Sequence, residues 1–363
     1  SAVPTPSRAE GSCVGEYGVL DRALHRLALQ AKPIAELTFG IDQALARADA
    51  TAVVGGRHIF VSGLARAGTT ILMRRLFASG ELCSLTYRHM PFVLAPNFWS
   101  RFTTARTKAP PAERAHGDRI LVDIDSPESL DEVFWRIFDG ESYIARHFLG
   151  RHDPDEEVVN KYVAYIAAIL KADRVGRTRY LSKNNNNILR LRPLRQTFPM
   201  AVILIPFREP LSHANSLLRQ HRNFIARQRA DIFVRDYMSW LGHHEFGLDH
   251  RPFQFDSEGQ KRLSALDPDG IDYWLELWCQ VYDWIERTAP EESALVCYED
   301  LCRNPAVWQK LAALCAVPPA DTAIEDFAIA PPTVEAGADP ARTQRASALY
   351  ARLARRARDR LSG

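Results

Sequence analysis

The chain has 363 residues, 46% hydrophobic and 25% charged, with 46 Lys plus Arg against 44 Asp plus Glu and a formal charge of +2. This composition describes a globular chain, argues against a disordered or fibrous one, and supplies no global field for nucleic acid or membrane, so any anion site has to be local. The longest apolar run, "MAVILIPF" at 200–207, is far short of the roughly 20 residues that cross a bilayer, and six scattered cysteines without a C-x-x-C pair argue against a zinc ribbon or redox motif.

In chain order, residues 1–18, which open with "SAVPTPSRAEGS", read as a tail. Leu20, Leu24, Leu27 and Ala28, then Ile41, Leu45 and Ala48, recur at helical spacing and predict two amphipathic helices lying against the outside of a sheet. "RHIFVSG" at 57–63 predicts a strand ending in glycine, and "TTILMRRLFAS" at 69–79 a helix. A polar and aromatic insertion, 80–178, interrupts that rhythm. It resumes with "RYLSK" (179–183) as a strand, 188–198 as a helix and "MAVILIPF" as a buried strand. A helix follows over 209–224, opened by Glu209 and Pro210, both favourable in a first turn. A second insertion spans 225–275. "ALVCYED" (294–300) predicts another strand, "PAVWQKLAALCA" a helix, and Leu349, Leu353 and Leu361 mark the docking stripe of a C-terminal helix. The alternation implies one α/β domain over 1–363, three-layered with a mostly parallel sheet, whose two insertions wall an acceptor site outside the carboxyl ends of the strands.

Gly63-Leu64-Ala65-Arg66-Ala67-Gly68-Thr69-Thr70 has the two glycines, the spacing and the final hydroxyl of a nucleotide P-loop, with Thr69 where the lysine belongs. Backbone N–H groups at a helix start, two threonine hydroxyls and the Arg66 guanidinium suit an anion. The "RAGTT" portion, Arg66, Ala67, Gly68, Thr69 and Thr70, resembles the 5′-phosphosulfate loop of sulfotransferases that use 3′-phosphoadenosine 5′-phosphosulfate, PAPS; Ala67 stands where the family more often has Ser. Three further stretches resemble the family in its order. "FREPLSHANS" resembles the 3′-phosphate site, with Arg208 and Ser216. "YLSKNNNN" is similar to the K-[NSD]-P segment, with Lys183 directed at the transferring group and Asn185 in place of Pro. "VCYEDL" supplies Tyr298 on the adenine or phosphate side.

The resemblance implies a P-loop-like fold and transfer of a sulfuryl group from PAPS to a hydroxyl or amine of a small-molecule, lipid or glycan acceptor, with no metal and no nucleic acid. The C-terminal R-x-G-x-x-G-x-W-[KR] loop of the cytosolic branch is absent, so the chain looks like a bacterial-type relative; Arg342, Thr343 or Arg345 stand where that loop's cofactor contacts fall. "YRHMPF" places His89 like the family's catalytic histidine, while His116, Asp123, Asp125 and Glu128 are alternative bases. "GHHEFGLDH" does not meet the H-E-x-x-H order of a zinc site and reads as an acceptor-side lid; Phe92, Phe98, Trp99, Trp135 and Tyr143 suggest a ring-bearing or amphipathic acceptor. A P-loop kinase using ATP or GTP is the alternative, and a nucleotide-binding scaffold without activity is another. A cytoplasmic location is expected.

Overall fold

A computed structural model of the protein describes residues 18–103, 112–113, 121–122, 125–319 and 337–362. The predicted tail up to residue 17, together with His116 and Asp123, lies outside the described residues. Seven strands occur there: β1 (Ile59–Val61), β2 (Leu82–Cys83), β3 (Ala112–Glu113), β4 (Leu121–Val122), β5 (Arg179–Lys183), β6 (Val202–Phe207) and β7 (Ala294–Cys297). Five of them form one parallel sheet in the order β2-β5-β1-β6-β7, and β3 pairs with β4 antiparallel. The α/β class and mostly parallel sheet expected from the alternation are present. β2 belongs to the region taken for an insertion; its two residues are too few to show a period of two.

Side chains alternate across the sheet, so each strand feeds two cores. Ile59, Val61, Leu181, Leu204 and Val296 face helices Thr69–Phe77 and Pro305–Leu314, meeting Leu72, Met73, Leu76, Trp308 and Leu311. Phe60, Tyr180, Ile203, Ile205, Phe207 and Cys297 face the larger opposite core, with Tyr162, Ile166, Leu217, Tyr282, Leu349 and Leu353 from four further helices. Burial on both sides explains why the strands read as continuous apolar runs.

The N-terminal helices differ from expectation. Leu20, Leu27, Ile41 and Leu45 are exposed, while His25, Ala28, Leu29, Ala35, Phe39 and Asp42 point inward. The Lys32–Ala46 helix rests on helices Pro96–Thr103 and Glu156–Ala172, not on the sheet. Asp42 accepts from the Phe98 backbone N–H at 2.7 Å and from Asn97 at 3.0 Å, so a polar anchor set the inward face. At the other end, Arg342 and Arg345 both pair with the buried carboxylate of Glu276.

Candidate active site

β1 and β5 end level with each other, and β6 runs on past them to end level with β7. Val61 of β1 is opposite Lys183 of β5 and Leu204 of β6, and Phe207 of β6 is opposite Cys297 of β7. The residues that leave the sheet at this edge are therefore the Gly63–Gly68 loop, Asn184, Arg208 and Tyr298. Ligands in open α/β sheets bind at such an edge, where neighbouring crossovers diverge. Tyr298 opens the helix Tyr298–Arg303 and does not extend the strand as expected.

The loop is built around two left-handed residues, Arg66 at φ +70° and Gly68 at φ +89°. A Cβ on Gly68 would sit 2.5 Å from the Tyr298 ring, so the loop rests directly on that ring. Ala67 is fully buried and its N–H donates to the Leu64 carbonyl at 3.2 Å. His213 donates from Nε2 to the Ala65 carbonyl at 2.8 Å, and burial, aided by Arg208, lowers its pKa to about 3, so it props the loop as a neutral ring. Thr69 starts the helix Thr69–Phe77 and Thr70 follows in its first turn, where N–H groups lack intrahelical partners.

Arg66, Arg208, Ser216 and Tyr298 converge on this loop. Arg66 Nε lies 3.4 Å from Ser216 Oγ, Arg208 Nη1 donates to the Arg66 carbonyl at 3.2 Å, and the Arg208 guanidinium lies 5.0 Å from the Tyr298 ring centre. Ser216 reaches the site because the helix Pro210–Ala230 starts directly after Arg208, capped by the Glu209 carboxylate on the N–H groups of Leu211 and Ser212. Arg208 Nε is buried and, among the described residues, has no hydrogen-bond partner.

Lys183 is buried at the end of β5. Beneath it, Ser182 donates to Asp131 at 2.5 Å, and Asn184 donates to Glu132 at 2.6 Å. Glu132 also takes two bonds from the fully buried Arg190, at 2.7 and 3.0 Å, and one from Tyr143. Trp135 and Tyr143, expected near an acceptor, instead enclose the Arg190 guanidinium at 4.7 and 4.9 Å.

Candidate bases lie on two segments, the expected one around His89 and an addition. His89 closes a turn on Thr86: Nδ1 lies 3.0 Å from the Thr86 N–H and 3.2 Å from the Thr86 carbonyl, and burial lowers the ring to about 4 against the weaker opposing pull of that carbonyl. The ring is therefore neutral near pH 7. Asp125 is held by Arg88 at 2.6 Å, and Glu128 accepts from the Tyr87 hydroxyl at 2.6 Å.

The addition is the segment Gly242–Glu245. Asn186 donates to the Gly242 carbonyl at 3.1 Å and Asn185 to Glu245 at 2.9 Å, so the asparagine run after Lys183 staples this segment to the sheet edge. Gly242, at φ +75°, has no room for a Cβ, which would meet Glu132 at 2.6 Å. His243 Nδ1 lies 3.5 Å from Glu245 Oε2. Burial is the largest influence on the His243 pKa and pulls it down, with Lys183 adding to it, but the charge and hydrogen bond of Glu245 together with Glu128 outweigh them, and the net shift is upward. Glu245, buried but paired with His243, is held well below the usual carboxylate range. A cavity of 20 Å³ lined by Leu64, Leu217, Phe253 and Trp274 backs the Glu245 carboxylate. Trp240 and Phe246 of the expected lid are core residues. No group of three His, Cys, Asp or Glu is placed to hold a metal among the described residues.

A parallel sheet whose central strand enters a glycine loop and then a helix defines a P-loop-like α/β fold. Within that class the chain belongs to the sulfotransferase family, whose model matches residues 58–318. Among solved structures it is similar to sulfotransferase STF1 from Mycobacterium tuberculosis H37Rv, at 14% identity and TM-score 0.49 over 84% of this chain and 79% of that one. It is similar also to sulfotransferase STF9 from Mycobacterium avium, at 15% identity and TM-score 0.45 over 93% and 79%. A sulfotransferase from Alicyclobacillus acidocaldarius matches at 15% and 0.39 over 84% and 95%. No curated protein matches the sequence. No helix among the described residues is long and apolar enough to cross a membrane.

Proposed function

We propose that the protein transfers a sulfuryl group from PAPS to a hydroxyl or amine of an organic acceptor. The observation that carries this reading is the convergence of Arg66, Arg208, Ser216 and Tyr298 around a phosphate loop that has Thr69 in the lysine position. The donor fits the residues present: the buried Arg208 Nε lacks a partner among the described residues, and a guanidinium suits a phosphate oxygen.

The donor supplies an activated sulfuryl group on a phosphate that leaves. Arg66, Thr69, Thr70 and the backbone around Gly68 hold its 5′ end, with Ala67 packing the loop from beneath. Arg208 and Ser216 hold the 3′-phosphate and Tyr298 lies under the loop. Lys183, at the end of the neighbouring strand, offsets the charge that grows on the bridging oxygen. The donor brings a second anchoring phosphate and a singly charged sulfuryl end, so a P-loop lysine is not needed at position 69.

Calorimetry with 3′-phosphoadenosine 5′-phosphate, PAP, tests the reading. It should bind at least 100-fold more tightly than AMP, and Arg208→Ala should abolish that preference; equal affinity for the two nucleotides would remove the 3′-phosphate site.

A further inference from the structure

Two histidines are candidates for the acceptor's base, and their surroundings differ. In His89, Nδ1 lies 3.0 Å from the Thr86 N–H and 3.2 Å from the Thr86 carbonyl, so that nitrogen is enclosed by the backbone of its own turn and faces no carboxylate. In His243 the carboxylate of Glu245 faces Nδ1 at 3.5 Å, which places the ring proton there and leaves the lone pair on Nε2. Among the described residues that Nε2 is not buried against a partner, and the His243 side chain is 21% exposed. Glu245 is in turn held by Asn185, two residues from Lys183, so this pair and the lysine hang from one short segment.

We infer that His243 is the general base for the acceptor, with Glu245 as the residue that positions its ring. The inference rests on the sulfuryl-transfer reading above. As the bond from acceptor oxygen to sulfur forms, the acceptor's O–H bond breaks and its proton passes to His243 Nε2. The sulfur–oxygen bond to the 5′-phosphate breaks, its electron pair leaving on that phosphate beside Lys183. Glu245 balances the imidazolium charge, and the proton then passes to solvent. Three charged groups act on the ring: Glu245 and Glu128 favour the protonated form, and Lys183 disfavours it. The net upward shift makes the neutral ring a stronger base than a free histidine while leaving it available near neutral pH.

The full chain can be tested with PAPS and water as the acceptor. His243→Gln should lower PAPS hydrolysis at pH 7.5 by about 100-fold, the lower end for general-base catalysis, with PAP affinity unchanged within about twofold. Glu245→Gln should move the rising limb of the pH–rate profile to lower pH, because His243 loses the charge that raises it. Nitrogen-15 histidine spectra, with the His243 signal identified by its loss in His243→Gln, should show titration above the ordinary value of about 6.5. Wild-type hydrolysis in His243→Gln, a loss found in His89→Gln instead, or titration of His243 below about 6.5 overturns the assignment. Calorimetry on the same samples separates the two ideas. PAP binding with no loss in His243→Gln removes the base alone, whereas no PAP binding removes the donor reading and the base with it.

Discussion

Arg66 holds φ at +70°, a region that costs a residue with a Cβ about 1–2 kcal/mol. The strain aims its guanidinium at Ser216 while its carbonyl receives Arg208. Arg66→Ala keeps the strain and Arg66→Gly releases it. Both variants should bind PAP more weakly by calorimetry, yet the glycine variant should exceed the alanine variant in urea-unfolding free energy by about 1 kcal/mol. Gly68 makes the complementary case, since a Cβ there meets the Tyr298 ring at 2.5 Å on a backbone at φ +89°. Gly68→Ala should lower the thermal midpoint by several degrees and PAP affinity by at least tenfold. An unchanged affinity would mean that the loop does not hold the nucleotide.

At the scale of elements, the end of β5 stands on a buried acid pair with opposite titration behaviour. Burial dominates Asp131 and lifts it to about 6, with the Glu132 charge adding and the Ser182 and Tyr162 bonds opposing. An acid raised in this way binds more protons folded than unfolded between about pH 4 and 6, so its stability contribution falls as pH rises through that window. Asp131→Asn should therefore stabilise the protein at pH 7.5, by about 2 kcal/mol in thermal or urea unfolding, and should give no gain at pH 4. Glu132 runs the other way. Burial would raise it, but the charge and hydrogen bonds of Arg190, with further bonds from Tyr143 and Asn184, win and hold it below an ordinary glutamate. Its stabilisation is complete above that ordinary value and is lost as pH falls through the lower folded one. Glu132→Gln should cost about 3–5 kcal/mol at neutral pH, because Arg190 is left as an uncompensated buried charge.

This layer shows where sequence reading stopped. The strands at 59–61, 179–183, 202–207 and 294–297 were legible because burial on both faces leaves an apolar run bounded by glycine, proline or charge. The phosphate loop was legible because its residues are contiguous. Asn185 and Asn186 looked like any polar turn, since their partners, Glu245 and the Gly242 carbonyl, are about 60 residues away. His89 was legible because a neighbouring proline resembled a motif, whereas its contacts with the Thr86 backbone and the pairing of His243 with Glu245 depend on local turns that no spacing rule reveals.

Across the whole molecule, the C-terminal helix Pro340–Ser362 lies beyond the residues matched by the family model and still completes the core. It sets Ala346, Leu349, Leu353 and Ala357 against the sheet and the helix Ile271–Thr288, and Arg342 and Arg345 join Arg262 on the buried Glu276 carboxylate. Glu276→Gln should lower the urea-unfolding free energy by about 1.5–3 kcal/mol, the range for lost charged hydrogen bonds. An unchanged midpoint would show that apolar contact alone docks this helix. The bond from Arg208 to the Arg66 carbonyl has a different reach. It ties the two places proposed for the donor's 5′ and 3′ groups into one piece, so settling either end reduces the freedom still to be lost at the other. Linkage makes such help mutual, and a molecule carrying both groups should bind more tightly than its separate halves combine to predict. The edge of the sheet then works as a gauge of span, accepting two charges only at the separation that its own hydrogen bond maintains.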